Sequence, residues 1–184
     1  CVDSHDIVTW LGGDIAVVRA MPNTPAFLSA GACVLRANFR VDEDQKSLAE
    51  HLFRAVGVVA WVKDDAEVNA LTPVSGSGPA YFFYLMKAMC DAAYEMGVDQ
   101  KEVRLLVVQT ALGAARMALE SNEPLETLLR QVTSPNGTTE KALEHMEFNH
   151  MQDIIKDALK ASNAFAEKCA KELGSADHIK GRLK

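Results

Sequence analysis

The sequence lacks a net positive charge, closely spaced cysteines and any long hydrophobic run. Its 184 residues carry 19 basic and 25 acidic side chains, a net charge of -6, which argues against a nucleic-acid-binding surface. The cysteines have neither metal-site nor redox-motif spacing, so we interpret them as reduced thiols. They are Cys1, Cys33, Cys90 and Cys169. No segment resembles a signal peptide or a membrane span, so we expect a soluble, cytoplasmic protein with no membrane partner.

The sequence also lacks the motifs of common catalytic and metal centres. It contains no zinc-binding spacing, no phosphate-binding P-loop and no nucleophile elbow. His145 and His150 are five residues apart and would point in different directions on a helix, so no metal site is predicted. Because 48% of the residues are hydrophobic, the chain has ample material for a packed core.

The first third of the chain has the pattern of an α/β fold. Short runs with β-branched residues predict strands at residues 15–20 and 58–62, residues 31–35 are interpreted as another strand, and helical spacing predicts a helix at 41–55. The β–α–β order is typical of an α/β segment. Three short strands make a poor complete domain, because small cores are marginally stable. We therefore interpret residues 1–63 as the end of a sheet whose beginning is absent from the sequence.

From residue 64 to 184 the signals are helical. The strongest helix lies within residues 75–96, where Ser-Gly-Ser-Gly-Pro forms the start and the remainder is almost wholly apolar. Its charges, Lys87, Asp91 and Glu95, recur every fourth position and form one narrow stripe. Further helices are predicted at residues 67–71, 99–120, 124–131, 140–146 and 150–173, with a polar tail from 174. The fold class is therefore α+β and mostly α.

Single residues predict where some of these helices begin and end. Pro73 is expected to interrupt the short helix at 67–71, because proline cannot donate a backbone hydrogen bond. Gly97 is expected to close the central helix, and Asp99 to cap the next one.

The two long apolar helices need more cover than the rest of the chain offers. A helix that is apolar on nearly all sides has to be buried on nearly all sides. We therefore predict an interlocked homodimer formed through residues 75–96 and 99–120. The alternative is that the remaining helices wrap them within one monomer.

The loop from Ser134 to Thr139 is the best candidate site. Pro135 fixes one turn, and Asn136-Gly137 readily takes left-handed backbone angles. Successive N–H groups would then point into one concavity that, with the following helix dipole, can bind a carboxylate or a phosphate. The alternative is an ordinary capped turn between two helices.

Two other features are weaker indications. Asn23 lies in a stiff loop after a predicted strand, and ligands of α/β folds bind at the carboxyl ends of strands. Gly76-Ser77-Gly78 is part of a dinucleotide fingerprint without its preceding strand or third glycine. We interpret this second motif as a helix cap whose small residues allow close packing.

Three motifs together resemble pyrroline-5-carboxylate reductase. They are Arg-Ala-Met-Pro-Asn-Thr-Pro at 19–25, Leu-Thr-Pro-Val-Ser-Gly-Ser-Gly-Pro-Ala-Tyr at 71–81 and Val-Thr-Ser-Pro-Asn-Gly-Thr-Thr at 132–139. Their order and spacing match the family over nearly the whole chain. The resemblance implies a Rossmann domain that binds NADPH or NADH, of which residues 1–63 would be the C-terminal remnant. It implies that residues 64–184 form an all-helical dimerisation and substrate-binding domain, in dimers that often assemble into decamers.

The resemblance also implies an activity and the residues that perform it. The family transfers a hydride to the C=N carbon of 1-pyrroline-5-carboxylate and so makes L-proline. By similarity, the substrate carboxylate would rest on Ser134, Asn136, Gly137 and Thr138, with Thr139 as the catalytic residue near the ring nitrogen. The acidic residue near the substrate would be Asp65, and the cofactor contacts would be Asn23 and Gln131.

The sequence departs from the family pattern in places. Asn136 stands where a glycine is usual, Asn69 where an aspartate is common and Pro73 where a small residue is common. The glycine-rich phosphate loop of the family is not among these 184 residues. We therefore expect a C-terminal portion of such a reductase, with little or no activity alone.

Two other functions are compatible with the sequence. One is a related imine or hydroxyacid dehydrogenase, which shares the plan of a Rossmann domain followed by helices. The other is a helical oligomerisation module without enzymatic activity.

Overall fold

The computed structural model describes residues 2–174 of the chain, and the predictions for Cys1 and for the tail after residue 174 lie outside them. The first elements are helix α1 (Ser4–Trp10), strand β1 (Val18–Met21), a 3-10 turn (Thr24–Leu28) and strand β2 (Gly31–Ala37). Helix α2 (Glu43–Arg54), strand β3 (Gly57–Trp61) and helix α3 (Asp65–Leu71) follow, and a π turn (Thr72–Gly76) extends α3. The remaining helices are α4 (Gly78–Glu95), α5 (Gln100–Glu120), α6 (Leu125–Gln131), α7 (Thr138–Phe148) and α8 (Met151–Gly174).

The three strands form one sheet in the order β1-β2-β3. β1 runs antiparallel to β2, with Met21 opposite Val34, and β2 runs parallel to β3, with Gly31 opposite Gly57. The central strand β2 carries the core of this region, because it is covered on both edges. Its Leu35 is fully buried, as is Val68 of α3. The predicted fold class, a piece of a Rossmann-type sheet followed by helices, is confirmed.

The described chain separates into two compact units. The first contains residues 2–79 and 157–174, and the second contains residues 80–156. The sheet, α3 and the π turn therefore belong to the first unit, and α5, α6 and α7 belong to the second. The predicted division of the chain at residue 63 stays a prediction.

Several element boundaries differ from the sequence prediction for physical reasons. β1 begins at Val18 rather than at residue 15 and includes Met21, because Met21 still pairs with β2 and the break comes at Pro22. Pro73 does not interrupt the chain's helical path. It lies at the beginning of the π turn, in which Ser77 N–H donates to the Thr72 carbonyl five residues earlier, at 3.0 Å.

One helix was missed, and the helix that follows the candidate loop begins earlier than predicted. α1 was not predicted, although Asp3 and Asp6 form a capping box at its N-terminus. α7 begins at Thr138 rather than at residue 140, so both threonines of the candidate loop belong to its first turn. By contrast, Gly97 follows the end of α4 with a left-handed φ of 90°, and Asp99 caps α5 by accepting a hydrogen bond from Lys101 N–H, as predicted.

Within the second unit that the structure describes, the two long apolar helices keep exposed apolar side chains. Phe82 of α4 is 63% exposed and Leu105 of α5 is 70% exposed. These exposures favour the predicted cover by a second copy of the chain over wrapping by helices of the same chain. None of the helices in the described range has the length and apolar character needed to cross a membrane.

The cysteines of the described range are free thiols, as predicted. Cys33 is buried in β2, and this burial raises its pKa to about 11, against a smaller lowering effect of its backbone hydrogen bond with Met21. At neutral pH this thiol is therefore protonated and unreactive.

Candidate functional site

The loop between α6 and α7 is held by its own backbone. Asn136 has a left-handed φ of 59°, as predicted for this residue, whereas Gly137 does not adopt a left-handed angle. Gly137 N–H donates to the Ser134 carbonyl at 3.0 Å and closes the turn. A Cβ atom on Gly137 would lie 2.9 Å from that carbonyl oxygen, so the turn requires glycine here for space.

Two N–H groups of the loop are already used within the chain. Besides the bond from Gly137, Asn136 N–H donates to a carboxylate oxygen of Glu140 at 2.7 Å. The nest of free N–H groups expected at Asn136 and Gly137 is therefore occupied internally. A ligand carboxylate at Asn136 N–H would have to displace the Glu140 side chain.

The first turn of α7 offers the better anion-binding groups. Thr138 and Thr139 are both exposed and are the first two residues of the helix. The opening N–H groups of a helix have no partner within it, and the helix dipole adds partial positive charge. The N-cap residue, Gly137, has no side chain to cap them. This helix end can therefore accept a small carboxylate, with two threonine hydroxyls beside it.

Gln131 lies on the other side of the same loop. It is the last residue of α6, and its side chain is exposed. Thr133, between Gln131 and the loop, turns its hydroxyl away and donates to the Leu129 carbonyl at 2.7 Å. Gln131 can thus make a polar contact with a ligand, while the Thr133 hydroxyl is already bonded to a carbonyl of α6.

Asn23 follows β1 in the first unit, and both ends of its carboxamide are engaged. Its oxygen accepts a hydrogen bond from Ala32 N–H at 2.9 Å, and its nitrogen donates to the Ser75 carbonyl, also at 2.9 Å. Asn23 therefore joins the beginning of β2 to the π turn. Its predicted contact with a cofactor stays a prediction, and these two bonds leave one N–H and one oxygen lone pair of the carboxamide for a further contact.

Asp65, at the start of α3, belongs to a cluster of charged side chains. One of its oxygens lies 2.8 Å from Arg19 Nη1, and the other accepts a 2.6 Å bond from the Ser4 hydroxyl and lies 3.8 Å from Arg36. Burial acts to raise the pKa of Asp65, but the hydrogen bonds from Ser4 and Arg19 outweigh it and the pKa is lowered. Its predicted substrate contact stays a prediction, and a substrate would have to compete with these partners.

Arg19 is the centre of this cluster, and sequence reasoning did not identify it as such. It is only 7% exposed, and its guanidinium also bonds to Asp3 at 3.0 Å and to Asn69 at 2.8 Å. A charged residue in the middle of a short buried strand was the available signal, since an arginine there needs partners. The cluster gives Asn69 a structural role, because its amide oxygen accepts a hydrogen bond from the Arg19 guanidinium.

The predicted site residues therefore fall into two groups. Asn23 and Asp65 belong to the first unit of the chain, whereas Gln131 and residues 134–139 belong to the second. Each group is locally well defined, and the roles assigned to its members from the sequence remain predictions.

The fold and these segments define a class of protein: a piece of a Rossmann-type sheet followed by a helical domain. Residues 65–169 match the family model described as pyrroline-5-carboxylate reductase dimerisation. Because this match covers more than half of the chain, the chain belongs to the pyrroline-5-carboxylate reductase family. The family implied by the three motifs is thus confirmed.

Individual relatives agree with this assignment. A pyrroline-5-carboxylate reductase of Pseudomonas aeruginosa is 49% identical over 166 residues, which are 90% of this chain and 60% of that protein. A solved pyrroline-5-carboxylate reductase of Coxiella burnetii has a TM-score of 0.85 and 46% identity, covering 88% of this chain and 60% of its own. That of Plasmodium falciparum, solved with NADP bound, has a TM-score of 0.85 and 25% identity, covering 92% and 68%.

This chain matches only part of the length of each of these relatives. The chain spans 60% of the Pseudomonas aeruginosa protein and 53% of a Pasteurella multocida pyrroline-5-carboxylate reductase that is 42% identical. The activity of a whole reductase is therefore proposed for this chain rather than transferred to it.

Proposed function

We propose that this chain is the C-terminal portion of an NAD(P)H-dependent reductase that converts 1-pyrroline-5-carboxylate to L-proline. The observation that carries the proposal is the first turn of α7, which lies inside the family-matched segment and exposes Thr138 and Thr139. A cyclic imino acid needs a site for one carboxylate and for one ring nitrogen, and this turn offers N–H groups and hydroxyls for both. Relatives that match most of this chain are named pyrroline-5-carboxylate reductases, which favours this reading over a hydroxyacid dehydrogenase.

In this proposal the N–H groups at the α7 N-terminus hold the substrate carboxylate. The Thr139 hydroxyl, near the ring nitrogen, forms a hydrogen bond to it and relays the proton that the nitrogen needs. Hydride addition removes the positive charge of an iminium, so the chemistry requires orientation and no strong nucleophile. Few polar groups in the loop are therefore sufficient.

A nicotinamide cofactor would supply the hydride. Of the two residues predicted to contact it, Gln131 has an exposed amide that fits a polar contact. The Asn23 carboxamide bonds to Ala32 and Ser75, which fixes the loop that would lie beside the cofactor. NADP in the Plasmodium falciparum relative supports a nicotinamide cofactor, and the choice between NADPH and NADH is open to measurement.

The proposal includes a homodimer formed through α4 and α5. The family model that matches this segment is a dimerisation model, and the apolar side chains of both helices are exposed in one chain. Contiguous apolar surface of this kind marks an interaction site. Assembly of dimers into decamers and a cytoplasmic location remain expectations from the sequence.

Binding of L-proline, the reaction product, tests the loop directly. At ten times its dissociation constant, proline should stabilise the chain by about 1.4 kcal/mol, a rise in Tm of about 3–6 °C. Thr139→Val should abolish this rise, because it removes the hydroxyl proposed at the ring nitrogen. The measurement is thermal unfolding followed by circular dichroism, with and without proline.

Thr133→Val is the matched control for this experiment. It also replaces a threonine hydroxyl by a methyl group next to the loop, but this hydroxyl already donates a hydrogen bond to the Leu129 carbonyl. The control variant should keep the proline-dependent rise in Tm. An equal rise in wild type and Thr139→Val, or none in wild type, would contradict the assignment of the site.

A further inference from the structure

The Ser75 carbonyl cannot receive the backbone donor that α-helical spacing would give it. In an α-helical path this oxygen would accept the N–H of residue 79, but residue 79 is Pro79, which has none. Ser75 is half-buried in the π turn, immediately before α4. Because an unpaired and partly buried carbonyl is costly, a donor is required from another part of the chain.

Asn23 supplies that donor. Its Nδ2 lies 2.9 Å from the Ser75 oxygen, while its Oδ1 accepts Ala32 N–H at the same distance. The two ends of one carboxamide therefore bridge two elements that are far apart in sequence. Aspartate lacks the donor and alanine lacks both groups, so asparagine is the residue with this shape that can make both bonds.

A second contact holds the same segment against the same turn. A Cβ atom on Gly76 would lie 3.1 Å from the terminal methyl group of Met21. The Met21 side chain therefore lies over Gly76. Met21 is two residues before Asn23, and Gly76 is one residue after Ser75, so this contact lies beside the hydrogen bond. Together the two contacts set the register of residues 21–23 along the π turn. π turns of this kind occur frequently at functional sites.

We infer that Asn23 is a positioning residue, whose carboxamide replaces the N–H that Pro79 lacks and fixes the loop after β1 to the turn that opens α4. This connects two motifs that were read separately in the sequence, the one at 19–25 and the one at 71–81. The cofactor part of the inference rests on the proposed function: by holding its loop against the π turn, Asn23 aligns that loop for a nicotinamide dinucleotide.

A double-mutant cycle tests the exchange of donors. Asn23→Ala should lower the Tm by about 4–8 °C, because the Ser75 oxygen and Ala32 N–H both lose a partner. Pro79→Ala alone should change the Tm by about 2 °C or less. In the double variant, Ala at 79 provides the missing N–H, so about half of the loss should be recovered. Purely additive Tm changes would overturn the inference, as would an unchanged Tm in Asn23→Ala.

Thr24→Ala is the matched control, since Thr24 is an exposed neighbour in the same loop. Its effect should be small and should add to that of Pro79→Ala without coupling. Coupling of the same size for Thr24 would show that Pro79→Ala changes the loop in a general way, and would overturn the inference.

NADPH binding, followed by its fluorescence, tests the cofactor part separately. Asn23→Ala should weaken the affinity at least fivefold, and the double variant should regain part of it. Equal affinity in all variants would overturn the alignment of the loop for the cofactor. Absence of NADPH binding by the unchanged chain would overturn only this cofactor part, because L-proline binding tests the proposed function, and the thermal cycle would still decide the positioning role of Asn23.

Discussion

A Phe82→Glu chain is expected to sediment as a monomer, whereas the unchanged chain sediments as a dimer. Phe82, Leu85 and Met89 lie on one face of α4, opposite the charged stripe that begins at Lys87. Phe82 is 63% exposed within a single chain, so its replacement should not disturb the fold of that chain. In the dimer it would place an unpaired carboxylate in an apolar interface, which is strongly unfavourable.

Lys87→Gln is the matched control for the dimer. It changes the net charge by the same amount as Phe82→Glu but lies on the opposite face, where Lys87 pairs with Asp91 at the surface. The control should remain a dimer at micromolar concentration in analytical ultracentrifugation. A monomeric wild-type chain, or a dimeric Phe82→Glu variant, would contradict an interface that includes this face of α4.

Arg19→Met is expected to lower the free energy of unfolding by about 3–5 kcal/mol, because it leaves two carboxylates without their shared partner. Arg19 is almost completely buried, between Asp65 at 2.8 Å and Asp3 at 3.0 Å. Methionine has a similar length and keeps most of the packing, so the loss would report on charge rather than on volume. Chemical denaturation measured at neutral pH provides the comparison.

Arg40→Met is the surface counterpart of this substitution. Arg40 pairs with Asp14, and both side chains are well exposed to solvent. Surface ion pairs contribute roughly 0–1 kcal/mol, so this variant should be nearly as stable as the unchanged chain. Similar losses for both variants would show that the buried cluster around Arg19 has no special role.

The same cluster predicts a pH dependence of stability. The pKa of Asp65 is lowered in the folded chain, so its contribution is fully present above its unfolded pKa of about 3.9 and is lost as the pH falls through the folded value. The free energy of unfolding should therefore fall as the pH drops below about 4. Asp65→Asn should be less stable at neutral pH and show a shallower decline in this range. An identical acid profile in both chains would contradict the ion pairs.

Features with local causes were predictable from the sequence. Strand β2 and helix α2 follow from a short apolar run and from helical spacing, and Gly97 and Asp99 mark helix ends through their own backbone and side chain. The left-handed angle of Asn136 also follows from its residue type. Each of these depends on neighbours within a few positions, which is the range that pattern reasoning covers.

Features with long-range causes were not predictable in the same way. The pairing of Ser4 with Asp65, and of Asn23 with Ser75, joins residues that are more than fifty positions apart. The π turn at Pro73 is accompanied by the second of these bonds, which no local pattern contains. The occupation of Asn136 N–H by Glu140 is a local contact, yet helical spacing alone does not show which side chain turns back.

The family motifs identified the candidate loop more sharply than its residue types did. From composition alone, residues 134–139 are compatible with an ordinary capped turn, and the structure indeed closes the turn with internal bonds at Asn136 and Gly137. The N–H groups that are suited to a ligand lie slightly later, at the beginning of α7. The anion site is therefore expected at a helix end rather than in a nest formed by the turn.

Site-resolved amide spectra on addition of L-proline test the central claim most directly. The account predicts that the largest shifts in a 1H–15N NMR spectrum occur at Thr138 and Thr139, and that they are absent in Thr139→Val. Shifts confined to other segments, or no shifts at saturating proline, would contradict a carboxylate site at the N-terminus of α7.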